Sequence, residues 1–289
     1  MSSHFSLSYF DPPVELNRHI LATFCFATGA GQIEDRHPGA LGQLVLFPCG
    51  EGGLQFGDRF DPAGPGAYLF SGFSSAAAIH MKGPWHAIGA SLSPLGWAAL
   101  SGEPSNEHID RFPHASEFLG QEVVDFSGDL NRRYSAGEIS GDQACHELAN
   151  WIGARLKQIP PAHERLIETT IGWLGTSLNP EIDRLFEPLI YSRRHAERLV
   201  ERYFGLPPAA LARKYRAIRA AALLSKDDLS DEGEAEIADA FVDQPHMIRE
   251  IRTYCGYTPS RLGGTTDPIF QTLLQMKNLD RLEQFRAIG

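Results

Sequence analysis

The chain has 289 residues, enough for two domains, and its 43% hydrophobic and 21% charged content is that of ordinary globular protein, which excludes a disordered or fibrous chain. A net charge of −10 argues against indiscriminate nucleic-acid binding, which depends on phosphate neutralisation, but leaves room for a basic face on one domain. The four cysteines, Cys25, Cys49, Cys145 and Cys255, form no C-x-x-C pair, which excludes a zinc ribbon or dithiol redox motif and predicts reduced, mostly buried thiols.

The N-terminus, MSSHFSLSYFDPP, lacks a basic stretch followed by an apolar one, and no run approaches the ~20 apolar residues that span a bilayer. A cytoplasmic protein with no membrane partner is expected. Residues 1–120 read as β: short apolar runs at 43–48 (QLVLFP), 66–70 (GAYLF) and 87–92 (AIGASL) are separated by Gly and Pro clusters. Turn signals at 50–53 and 61–66 have the spacing of a sandwich or small barrel. Chemistry finds no foothold here. There is no G-x-S-x-G elbow and no glycine-rich phosphate loop, and His80 and His86 lack the H-x-H spacing of a barrel metal site. The expectation is no metal, no cofactor and no enzyme activity.

After Gly120 the period becomes helical. In residues 142–157, Ala144, Leu148, Trp151, Ile152 and Leu156 share one stripe, which fits either packing on the β domain or a homodimer seam. Pro160 and Pro161 then break the chain. Beyond them Leu166, Ile167, Thr170, Ile171, Leu174 and Leu178 form the face of a first helix, and Asn179-Pro180 reads as the start of a second running from 181 to about 189. Ser192 reads as the cap of a third helix, with Ala196, Leu199, Val200 and Tyr203 inward. Two short helices with a tight join make a helix-turn-helix. A long helix from 208 to about 224 follows, then an acidic helix at 231–240. The last helix, 243–255 (DQPHMIREIRTYC), is capped by Asp243, with Met247, Ile251 and Tyr254 inward and His246, Arg249 and Arg252 outward.

Charge singles out the first of these units. Residues 184–223 hold nine basic residues (Arg184, Arg193, Arg194, Arg198, Arg202, Arg213, Lys214, Arg216, Arg219) against Glu187, Glu197 and Glu201, a local +6 in an acidic protein. Such a stripe calls for an anionic partner. Arginine can take guanine O6 and N7 through two parallel hydrogen bonds, and glutamate can accept from cytosine N4. The competing reading is a solvated face with Arg194 paired to Glu197 and Arg198 to Glu201.

With these residues in view, residues 165–262 resemble the DNA-binding domain of AraC-type transcription regulators, two helix-turn-helix units joined by a long helix. The pattern falls on Ser192, Arg193, Leu199, Gly205, Pro208, Arg213, Arg216, Ala220, Leu223 and Leu224, and in the second unit on Asp243, Gln244, His246, Met247, Arg249, Gly256, Thr258, Pro259 and Ser260. The resemblance implies base reading by Arg194, Glu197 and Arg198, with Arg193, Arg202, Arg213, Lys214 and Arg216 on phosphates. In the second unit Gln244, His246, Arg249 and Arg252 are the candidates. The implied partners are double-stranded DNA, a small-molecule effector or protein partner, and a second copy in a homodimer. The implied fold class is α+β: a β-barrel or cupin-like domain, then an all-α double helix-turn-helix.

The sequence departs from the family pattern in places. Ile190 and Ala240 stand where a turn glycine is usual, Pro188 shortens the first helix, and Glu236 falls where a small buried alanine is typical. Residues 225–243 carry one lysine and eight acids, a net −7, which predicts that the first unit does most of the DNA contact. The expected organisation is a sensing domain at 1–120, a helical linker or dimer seam at 121–162, the DNA-binding domain at 163–265 and an apolar tail at 266–289. Two rival readings are a protein-interaction module built on a degenerate DNA-binding domain, and a cupin enzyme fused to helices.

Overall fold

Six strands, among the described residues, build the N-terminal half: β1 (Phe5–Phe10), β2 (Ile20–His37), β3 (Gly42–Phe56), β4 (Arg59–Ala63), β5 (Gly66–Phe70) and β6 (Ala77–Leu92). The structure is a computed structural model and describes residues 5–225 and 229–262. The expected apolar tail lies outside the described residues. The sheet runs β1-β2-β6-β3-β4, with β5 also on β3. It is an open antiparallel sheet and not the closed barrel the sequence suggested. One cause is visible in the registers: β5 pairs with residues 43–47 of β3 and β4 with residues 52–56. These short strands divide one edge of β3 between them, and Pro62 in β4 has no N–H to donate to a further strand.

The turn expected at 50–53 is absent, because β3 continues through it. Gly52 and Gly53 pair with Ala63 and Pro62, and a side chain at either would run into neighbouring backbone carbonyls. The reversal comes later, at Gly57-Asp58, where Gly57 takes φ 56°.

Three helices join this sheet. α1 (Pro94–Ser101) is capped by Ser93, whose side chain accepts from the Gly96 N–H. α2 (Ser116–Ser135) is interrupted at Gly120 (φ 66°, ψ −155°). α3 (Gly141–Gly153) opens with a reciprocal capping box between Ser140 and Gln143. Val123 and Leu130 of α2 and Ala144, Cys145, Leu148 and Ile152 of α3 enter one core with Leu44, Leu46, Leu69, Ile88 and Leu92 of the sheet. Asn131 donates to the Phe47 carbonyl at 3.1 Å. Residues 121–159 therefore belong to the sheet domain's own core. Trp151, a candidate for a dimer seam, stacks on Phe126 (centroids 4.9 Å apart), and the Arg155 guanidinium lies 4.0 Å from its centroid.

The first compact unit ends at Ile159, and Pro160 begins the second. Its helices are α4 (Pro161–Leu174), α5 (Ile182–Phe186), α6 (Arg193–Phe204), α7 (Pro208–Leu224), α8 (Asp231–Ala240) and α9 (Gln244–Cys255). Residues 35–40 and 73–78 also belong to this second unit. The Ala76 N–H donates to the Thr253 carbonyl at 3.0 Å, and the Tyr257 hydroxyl lies 3.0 Å from Asp35 Oδ1. Lys214 is only 3% exposed, and its Nζ donates to the carbonyls of Gly39 and Phe73, each at 2.6 Å. No described helix is long and apolar enough to cross a membrane.

The same interior sets a pH dependence. Burial, and secondarily Lys214, push the His37 imidazole from 6.5 down to about 4, and its Nδ1 accepts from the Gly39 N–H at 2.9 Å. The unfolded chain takes up this proton more readily than the folded one. Stability therefore falls as pH drops from about 6.5 towards 4, by about 3 kcal/mol for this group, and does not respond to it above 6.5. Urea denaturation at pH 7 and pH 4.5 checks this: the decline should be shallower in His37→Phe than in the parent chain.

Candidate nucleic-acid interface

The first helix-turn-helix is α5, the turn 187–192 and α6. Pro188 confines α5 to five residues, shorter than the sequence suggested. Ala196, Leu199, Val200 and Tyr203 of α6 are buried as expected, and burial of Leu199 or Val200 stabilises the packing by about 1.5–3 kcal/mol each. Gly205, in the left-handed region at φ 80°, ends the helix. Ser192 holds the N-cap position without a side-chain capping bond. Asn179, expected to cap α5, instead accepts from Arg216 at 2.7 Å.

On the outer face Arg194 and Arg198 are exposed, and neither makes an ion pair among the described residues. The pairing actually formed is Arg193 with Glu197, Nε to Oε1 at 3.1 Å, and with Asp183, Nη1 to Oδ1 at 2.6 Å. Arg193 also lies 4.9 Å from the Phe186 ring centroid. The Glu197 and Asp183 carboxylates raise its pKa. It braces α5 against α6 and occupies Glu197. Arg202 and Arg213 are exposed on the same unit.

The second helix-turn-helix is α8, the turn 241–243 and α9. Asp243 caps α9 by accepting from the His246 N–H at 2.7 Å, and Gly256 ends it at φ 82°. Asp243→Ala should cost about 1 kcal/mol, read as a drop in urea midpoint. Glu236 is exposed, while Ile237 and Ala240 face inward, so the acid stands outside the core. Neither turn needs its missing glycine: Asp110 is the one described non-glycine residue with positive φ, and the chain leaves α8 through Phe241 in an extended conformation.

Between α7 and α9 lies a buried ion pair. Arg216, 8% exposed, makes a bidentate pair with Glu250, 8% exposed, through Nη2 to Oε1 at 2.8 Å and Nε to Oε2 at 3.0 Å. Its Nη1 reaches Asn179 Oδ1 and the Ala240 carbonyl, and its guanidinium lies 5.1 Å from the Phe241 centroid. His246 turns towards the same pair, Nε2 to Glu250 Oε1 at 3.1 Å.

Residues 187–263 match the family model described as a helix-turn-helix domain. The C-terminal unit carries a helix-turn-helix domain. No curated protein matches the chain. Among solved structures, the AraC-like transcriptional activator CuxR is 13% identical over 82% of this chain and 86% of its own, with a TM-score of 0.31. A lysine-to-alanine variant of apo ToxT from Vibrio cholerae is 11% identical over 90% and 96%, with a TM-score of 0.40.

Within this domain, the positions expected from the sequence for four residues need correction. Lys214 and Arg216 are interior residues, each with its hydrogen-bonding capacity used by carbonyls or a carboxylate, so neither is presented to a phosphate. His246 is half-buried against Glu250, where an outward position had been expected. Arg219, counted in the basic stripe, donates to the Leu174 and Ser177 carbonyls. Gln244, Arg249 and Arg252 do lie on the exposed side of α9. The residue the sequence reading missed is Glu250. Its signal was an acid next to the inward Ile251 and one turn from His246. His80 and His86 do not come together: His80 faces Glu34 at 3.8 Å and His86 packs on Tyr134.

Proposed function

We propose that this chain is a sequence-specific DNA-binding transcription regulator in which α6 enters the major groove and Arg194 and Arg198 read base edges. The observation that carries this reading is the exposure of those two arginines, unpaired among the described residues, on the outer face of the second helix of a helix-turn-helix. Arg202 and Arg213 are the phosphate contacts of this unit, while Arg193, first expected on a phosphate, is engaged by Asp183 of α5 and Glu197 of α6 and positions α6. The second unit contributes Gln244, Arg249 and Arg252. The exposed acids Asp231, Glu232, Glu234, Glu236 and Asp239 of α8 weaken its hold on phosphate. The sheet domain is the part that senses an effector or pairs with a second copy. The test is selection of bound duplexes from a random DNA pool at low and moderate salt. Enrichment of one motif, with affinity falling steeply as salt rises, supports the reading. No enrichment at low salt overturns it.

A further inference from the structure

Among the described residues only four large hydrophobic side chains are strongly exposed, and two of them occupy the turns that lead into the two recognition helices. Ile190 is 79% exposed, two residues before the Ser192 N-cap of α6, and Val242 is 89% exposed, one residue before the Asp243 N-cap of α9. A single exposed aliphatic is unremarkable on any protein. One in each turn, beside the helix start that approaches base edges in this motif, is a placement with a consequence. Neither side chain can bond a phosphate. In the major groove the apolar group available to them is the C5-methyl of thymine. Ile190 also stands where a glycine would have left no side chain to present, and its backbone does not take a left-handed conformation.

We infer that Ile190 and Val242 are specificity residues that pack on thymine methyl groups at the edge of each half of the binding site. This rests on the DNA-binding reading above. The probe is the duplex enriched from the random pool, compared with duplexes in which each thymine in turn is replaced by deoxyuridine, which removes one methyl and keeps the base pair. The full chain should bind about fourfold more weakly for each methyl that Ile190 or Val242 covers. Ile190→Ala and Val242→Ala should each weaken binding to the thymine duplex and abolish the thymine preference at one position, a different one for each variant. Thermal melting confirms that both variants fold. An enriched motif that tolerates uridine everywhere, that keeps its thymine preference in both variants, or that contains no thymine overturns the inference while leaving the DNA-binding reading standing. Failure to enrich any duplex overturns both.

Discussion

Glu250→Ala should lower the unfolding free energy of the chain by about 3–5 kcal/mol, because it leaves the Arg216 guanidinium buried without its carboxylate. Asn179 and the Ala240 carbonyl still accept from Nη1, but Nε and Nη2 lose their acceptors. The decisive comparison is with the double variant Arg216→Met, Glu250→Leu, which removes both charges and fills the space. Its stability should lie far closer to that of the parent, since a paired buried charge offers little net gain over apolar packing. Urea denaturation of the three proteins measures both. If the single and double variants are equally destabilised, the pair does not hold the guanidinium in the way described. The single variant should also impair DNA binding through α9, because Glu250 joins that helix to α7.

Arg194→Ala and Arg198→Ala should each weaken binding to the enriched duplex by about 1–3 kcal/mol, roughly 5- to 150-fold, and should relax the base preference at the position each reads. Arg202→Ala and Arg213→Ala should behave differently. As the proposed phosphate contacts, they should weaken all sequences alike and reduce the salt slope by about one counterion each. Electrophoretic or fluorescence titration across a salt series separates the two classes. Loss of preference from the phosphate pair, with none from Arg194 and Arg198, would reverse the assignment. Lys214→Met belongs to neither class. Its ammonium is held by two carbonyls in the interior, so its effect is on stability.

Periodicity was legible wherever a helix had one apolar stripe, and caps were legible in part: Asp243 caps α9, while Ser192 makes no side-chain capping bond and Asn179 bonds Arg216 instead. The inward residues of α6, the glycine ends at Gly205 and Gly256, and the Asp243 cap follow from local chemistry acting within one or two turns. The helix-turn-helix pattern, which rests on the same local features, could be read for the same reason. The partners of the basic residues could not. Periodicity says which side of a helix is apolar, but Arg216 meets Glu250 across 34 positions and Lys214 meets Gly39 across 175. A charged residue near the margin of a stripe looks the same in sequence whether it faces solvent or a buried acceptor.

The sheet shows the same division. Apolar runs marked β3, β5 and β6 but not β1, β2 or β4, and glycines that punctuate a sequence like turns proved to be sites of close backbone approach inside β3. Openness of the sheet depends on which strands share the edge of β3, a pairing choice that no local window contains. Sequence by itself determined the helix-turn-helix and its exposed arginines, since these arise from short-range pattern. Tertiary structure alone decided that residues 35–40 and 73–78 complete the helical unit, and which of its cations remain available to a ligand. Burial of a charge is settled only when a distant acceptor arrives to offset its desolvation.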